Sequence, residues 1–194
     1  MTTLHGVLPV LHTPYLEDWS IDYETLGAEV EFAFVQDADG IVFALASELL
    51  RLTESERRKT AEFLVGAARG RGSVVISVGA ESTYAATQYA RHAEAVGATA
   101  LMATPPLCTR AGEEELALYY GALVEATALT VVVQDASSYV GAPLSTSFQA
   151  ALFSRTHARN SRISFVSLRS LRARNALKAS IGKKGNALLR LLAR

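Results

Sequence analysis

The 194-residue chain is 49 % hydrophobic and 20 % charged, a globular composition that excludes an intrinsically disordered protein. Its zero net charge is a cancellation. Residues 1–153 hold all 19 acidic residues against 8 basic ones, a formal −11, while residues 154–194 hold 11 basic and no acidic residues, +11. Such asymmetry marks separate modules, a polyanion-binding tail or a foreign segment. The single Cys108 excludes an internal disulfide and suits a reducing compartment. The first residues lack the basic and apolar regions of a signal peptide, and no apolar run approaches the roughly 20 residues of a membrane helix. A soluble, cytoplasmic protein with no membrane partner is expected.

Along the chain, short apolar runs alternate with helical patterns. Residues 7–11 read as a first strand, followed by a helix over 23–36 and a second strand over 41–45. A helix over 53–70 opens on Thr53-Glu54-Ser55-Glu56, the spacing of a capping box, and ends at Gly70. A strand over 74–78 precedes a helix over 82–96, which Ser82 can cap and Gly97 stops; its Ala85, Tyr89, Ala93 and Val96 form one apolar face. A strand over 100–103, a helix over 112–126 with Glu113, Glu114 and Glu115 in its first turn, and a strand over 130–133 follow. A fifth helix starts over 145–153. Continuous Val/Ile/Leu/Ala strands suit burial on both faces, and regular alternation with helices argues a parallel α/β domain. An open doubly wound sheet and part of an eight-fold barrel both fit. Leu11-His12-Thr13-Pro14-Tyr15 follows the first strand where a nucleotide-binding fold would carry a glycine-rich loop.

From Ser154 the pattern changes to a Ser-, Arg-, Leu- and Ala-rich tail with no convincing strand. Helices over 166–179 and 187–193 are compatible with its leucine spacing.

Several pieces coincide in order and spacing: Gly6 to Tyr15, Ile21-Asp22-Tyr23, Asp39-Gly40-Ile41, Glu48, and Leu52-Thr53-Glu54-Ser55-Glu56-Arg57. Val78-Gly79-Ala80, His92-Ala93-Glu94, Gly97-Ala98 and Thr104-Pro105-Pro106 continue the series. Together they resemble the dihydrodipicolinate synthase/N-acetylneuraminate lyase family of class I aldolases, over residues 5 to about 153. The resemblance implies an α/β fold that is an incomplete (β/α)₈ TIM barrel of about five β/α units in residues 1–153, with a basic, helical or disordered tail over 154–194. It implies a 2-oxo acid as small-molecule partner, a homo-oligomer, no cofactor and no metal. The histidines show no metal-ligand spacing of their own.

The family's chemistry uses a lysine at the end of the sixth strand, which forms a Schiff base with the keto group of pyruvate or a related acid. A tyrosine at the end of the fifth strand moves protons, a second follows the fourth strand, and a Gly-Thr-Thr-Gly-Glu turn after the second strand holds the substrate carboxylate. This chain departs from each. The carboxylate turn reads Ala44-Leu45-Ala46-Ser47-Glu48, leaving Ala46, Ser47 and Glu48 as candidate substrate contacts. Leu107 stands at the second tyrosine. Gln134 stands at the acid–base tyrosine, followed by Asp135; an amide orients a substrate but does not titrate. Ser47 and Glu48 also read as ordinary turn residues, whereas Gln134 and Asp135 end a parallel strand, where sites gather. Arg162, the nearest basic residue after the resemblance ends, stays protonated and forms no Schiff base. Lys178, Lys183 and Lys184 lie in no strand-like context.

The expected function is a lyase or aldolase family member that stops before its catalytic lysine and is inactive as it stands. The alternative is a non-catalytic binding protein whose basic tail contacts nucleic acid. The tail has three readings: a polyanion-binding arm, a solvated end, or a stretch translated out of frame. The composition change, the loss of acids and the end of resemblance coincide, which favours the third; nucleic-acid binding is the least favoured. Reading the coding DNA beyond codon 153 in all three frames is expected to show, in a shifted frame, an apolar strand ending in lysine. No continuing frame would make the tail genuine.

Overall fold

The structure is a computed structural model that describes residues 4–137, 143–157 and 163–166. Its elements are α1 (Tyr23–Val35), β1 (Gly40–Phe43), α2 (Glu54–Ala68), β2 (Ser73–Ser77), α3 (Thr83–Ala95), β3 (Ala100–Ala103), α4 (Glu113–Ala126), β4 (Thr130–Gln134), α5 (Thr146–His157) and β5 (Ile163–Val166). Two 3₁₀ turns, Leu45–Ser47 and Leu49–Arg51, follow β1. The sheet takes its strands in chain order, as βα units with short crossovers do. The described residues fall into two compact units, one within Met1–Ser77 and Arg91–Leu101, the other within Val78–Ala90 and Met102–Arg194.

In the first unit, β1 and β2 run parallel with Gly40 opposite Ser73 and Phe43 opposite Ile76. All four residues of β1 are buried, as are Val74, Val75 and Ile76, so the strands read as continuous apolar runs rather than alternating ones. Leu26, Val30 and Ala33 on α1 and Ala61, Leu64 and Ala68 on α2 supply the helical side of this core. Each fully buried Leu, Ile or Phe contributes about 1.5–3 kcal/mol. The helices begin where their caps stand. Asp22 accepts from the N–H groups of Glu24 and Thr25, both at 3.0 Å. The Thr53 capping box forms as the spacing predicts: Thr53 N–H donates to Glu56 Oε2 at 2.8 Å and Glu56 N–H to Thr53 Oγ1 at 3.3 Å. The Thr25 hydroxyl donates to Asp22 Oδ2 and the Thr53 hydroxyl to Glu56 Oε2, both at 2.6 Å; these two bonds are the largest cause holding the Asp22 and Glu56 carboxyls below their usual range, with backbone N–H groups adding to them. α2 closes on Arg69 and Gly70 at φ 51° and 71°, and Gly97 follows α3 at φ 95°, all in the left-handed region that ends a helix.

In the second unit, β4 and β5 run parallel from Val131 opposite Ile163 to Gln134 opposite Val166. Val131, Val132 and Val133 are buried, as are Leu116, Tyr119, Tyr120 and Leu123 of α4 and Phe148, Leu152 and Phe153 of α5; α4 packs on β4, and α5 on β5 and α4. Ser82 caps α3, accepting from Ala85 N–H at 3.1 Å. Gly112 caps α4, its N–H donating to Glu115 Oε2 at 2.9 Å.

Two expectations change. Residues 7–11 form no regular strand: they reach β1 only through a single parallel bridge, Val10 to Val42, with Val42 N–H donating to Pro9 O and Leu11 N–H to Val42 O. Pro9 has no N–H to extend the ladder. Val7 and Val10 are exposed, not buried on both faces. Conversely, the stretch after residue 154 holds a strand. α5 continues through His157, and β5 pairs with β4. Ile163, Phe165 and Val166 are strong strand formers, and β4 offers them a parallel edge, so the β/α alternation runs on to Val166. The tail helices expected over 166–179 and 187–193 lie outside the described residues, apart from Val166, which ends β5.

A Cβ added at Gly40 would lie 2.2 Å from the Ser73 carbonyl oxygen, a backbone atom that cannot turn aside. Gly40→Ala is expected to destabilise by about 3 kcal/mol, read as a lower urea midpoint at unchanged slope.

Candidate functional site

In parallel β/α folds the C-terminal ends of the strands are where chemistry is placed. The two units each contribute such ends. In the first, β1 runs into the Ala44–Glu48 turn. Ser47 is wholly buried, and its hydroxyl is engaged twice: it donates to Leu11 O at 2.5 Å and accepts from Ala44 N–H at 3.1 Å. Its carbonyl accepts from the buried Thr13 hydroxyl at 2.5 Å. The hydroxyl that the sequence offers for a substrate carboxylate thus ties the turn to the segment before α1. Ala46 is exposed and brings only a methyl group. Glu48 is half-buried at φ 58°, with its carboxylate 3.0 Å from Arg51 Nη1. At the end of β2, the Ser77 hydroxyl is buried without a hydrogen-bond partner among the described residues, while the Ser77 carbonyl accepts from Arg57 Nη2 at 3.3 Å. The Tyr15 phenol is shifted above its ordinary range by burial first, then by the negative charges of Glu48 and Glu56.

In the second unit, Gln134 ends β4. Its Oε1 is buried with no hydrogen-bond partner among the described residues, as is the hydroxyl of Ser137. Asp135 turns back locally, accepting from Ser137 N–H at 3.0 Å. Tyr120, fully buried beneath this end, points its hydroxyl at Ala103 O, 3.4 Å away. Burial, reinforced by Tyr119 and Asp135, pushes its ionisation well above the usual phenol range, so it stays protonated and neutral. Beyond β3 the chain Thr104–Ala111 carries Leu107. This loop is held by Glu81, whose two carboxylate oxygens accept from the N–H groups of Leu107 (2.8 Å) and Cys108 (3.1 Å). Tyr119 in turn accepts from Ala80 N–H at 3.1 Å.

The candidate residues therefore fall in different units: Ala46, Ser47 and Glu48 in the first, Gln134 and Asp135 in the second. Sequence reasoning overlooked Thr13, Ser77 and Glu81. The first two are small polar residues beside apolar runs, a pattern that marks a buried hydroxyl at a strand end. Among the described residues no cluster of three or more His, Cys, Asp or Glu could hold a metal ion, and no helix is long and apolar enough to cross a membrane.

A model of the Dihydrodipicolinate synthetase family matches residues 3–156. A 4-hydroxy-tetrahydrodipicolinate synthase of Phenylobacterium zucineum (strain HLK1) is 36 % identical over 131 residues, 67 % of this chain and 44 % of that protein. The enzyme of the same name from Chelativorans sp. (strain BNC1) is 31 % identical over 131 residues, 67 % of this chain and 45 % of its own. The chain spans about half the length of the curated relatives it matches. Among solved structures, a dihydrodipicolinate synthase from Aquifex aeolicus superposes with a TM-score of 0.84 at 23 % identity, covering 93 % of this chain and 61 % of that one. YagE, a prophage protein of that family from E. coli K12 in complex with pyruvate, gives 0.87 at 19 % identity, covering 94 % and 61 %.

Removing the Ser47 hydroxyl leaves Leu11 O and Ala44 N–H without it. Ser47→Ala is expected to cost about 1–3 kcal/mol of stability, measured by chemical denaturation. A change below a few tenths of a kcal/mol would mean that the hydroxyl has no structural part.

Proposed function

Since the chain belongs to the Dihydrodipicolinate synthetase family, we propose that it is an aldolase-type scaffold for a 2-oxo acid that lacks Schiff-base catalysis. The observation that carries this reading is the composition of β5. Counting the 7–11 segment as the first strand of the family's barrel makes β5 the sixth, the strand whose end bears the family's lysine. β5 reads Ile163-Ser164-Phe165-Val166 and the next residue is Ser167; no lysine occurs between Lys59 and Lys178. A Schiff base needs a neutral primary amine to attack the keto carbon and lose water. Neither serine nor the permanently charged Arg162 offers one.

The other substitutions point the same way. Gln134 pairs with Val166 across the β4–β5 ladder, so it stands at the strand end beside the missing amine. Its amide presents hydrogen bonds but transfers no proton at neutral pH. Leu107 offers an alkyl group where the relay has a phenol. Ser47, its hydroxyl bonded to backbone on both sides, leaves the carboxylate turn without a free hydroxyl. A chain with none of the amine, the acid–base pair and the anion-holding hydroxyls keeps the framework and not the reaction.

The test is trapping. Incubation of the full chain with pyruvate and borohydride is expected to leave its intact mass unchanged. A stoichiometric adduct on one lysine would overturn the proposal.

A further inference from the structure

Within the second unit, α4 and α5 pack on one another and leave between them a groove of about 440 Å³. Its floor is apolar, with Ala117 on α4 and Phe148, Ala151 and Leu152 on α5. Glu113 and Glu114 form the α4 rim, and Arg155 stands two turns beyond Phe148 at the other end. Glu114 is exposed and has no partner among the described residues, while Glu113 accepts from the Ser145 hydroxyl. One turn on from Glu114, Leu118 is 72 % exposed, so apolar surface continues along α4. An apolar floor beside a carboxylate rim fits a helix that carries leucines on one face and cations next to it.

The chain itself supplies such a segment. Residues 167–194 hold eight Lys and Arg, seven Leu and no Asp or Glu, and β5 already brings sequence from beyond residue 154 into the sheet. In Ala187-Leu188-Leu189-Arg190-Leu191-Leu192-Ala193-Arg194, the side chains of Leu188, Leu191 and Leu192 fall at helical spacing, and Arg190 and Arg194 are four apart. An eight-residue helix is about 12 Å long, which matches the stretch of α5 from Ser147 to Arg155. Twenty residues separate Val166 from Ala187. Extended, they span up to ~66 Å, ample to cross α5, which packs beside β5. We propose that residues 187–194, which lie outside the described residues, dock as a short helix in the α4–α5 groove of their own chain. Leu188, Leu191 and Leu192 rest on Ala117, Phe148 and Ala151. Arg155 repels a cation at its end of the groove, which directs Arg190 and Arg194 to Glu113 and Glu114. A helix this short does not persist alone in water, so groove and segment order together. The contact is independent of whether the chain retains catalysis and of how the segment arose.

Hydrogen exchange read by mass spectrometry tests the contact in the full chain. At low salt, the amides of residues 188–194 are expected to exchange about ten-fold more slowly than in a synthetic peptide of residues 187–194. Glu114→Lys reverses the rim charge and Ala151→Arg fills the floor; both positions are exposed, so the fold is kept. Each variant should return the segment to the exchange rate of the peptide, and added salt should move the wild type the same way. Glu17→Lys, the same charge change on an exposed loop of the other unit, should leave the protection intact. Exchange as fast as the peptide in the wild-type chain would overturn the proposal. Protection that survives both Glu114→Lys and Ala151→Arg would remove the groove as its cause. Protection lost equally in Glu17→Lys would reduce the effect to net charge, and protection that grows with protein concentration would give the segment to another copy; either result sinks the docking within one chain.

Discussion

The first unit depends on Asp39. Its carboxylate accepts from Val7 N–H at 2.7 Å, its own N–H donates to Val7 O at 2.9 Å, and its carbonyl accepts from Ser73 N–H at 3.0 Å. One residue thus binds the incoming segment on one side of β1 and the start of β2 on the other. A parallel ladder has no tight hairpin to set its register, because its strands are joined by long crossovers. A slip of one residue would turn every side chain to the opposite face of the sheet. By fixing both neighbours at the first residue before β1, Asp39 decides the alignment from which Gly40 opposite Ser73 and Phe43 opposite Ile76 follow. The turn after β1 inherits that alignment, since Ser47 reaches Leu11 O only when the 7–11 segment lies in this register.

At the strand ends the described side chains are taken up by local hydrogen bonding. The Ser47 hydroxyl staples two backbone segments, Leu11 O on one side and Ala44 N–H on the other. Glu81 fixes the Leu107 loop through the N–H groups of Leu107 and Cys108. Gln134 places a polar group at the end of β4, with its Oε1 buried and unpartnered among the described residues. Buried polar atoms left without partners are costly, so the end of β4 carries a local cost in stability.

Much of this was legible in the residues. The four helices from α1 to α4 and the strands β1 to β4 stand close to their expected places, because caps such as Thr53 with Glu56 and runs such as Val74–Ile76 are local signals. The first strand misled: Val7, Leu8 and Val10 supply the apolar content, but Pro9 withholds the N–H that a ladder needs. β5 was hidden for the opposite reason. Four residues in a Ser- and Arg-rich stretch give no periodicity to detect, and only the free edge of β4 makes them a strand. At the site, residue identities were readable and engagement was not. Nothing in the order Ala44-Leu45-Ala46-Ser47 reveals that the hydroxyl turns inward to Leu11, since that bond spans 36 residues of chain.

That span bears on the order in which the protein assembles. The caps of α1 and α2 close over two or three residues, whereas Val7 to Asp39, Thr13 to Ser47 and Ser47 to Leu11 close over 32, 34 and 36. Chain closure costs grow with loop length, and contacts distant in sequence slow folding. The helices can therefore fluctuate into shape on their own, while the junction of the amino-terminal segment with β1 waits for the intervening helix to be in place. Until it closes, the backbone edge of β1 that the 7–11 segment covers stands open, so the slowest step of the first unit is also the one that leaves an unprotected strand edge in solution.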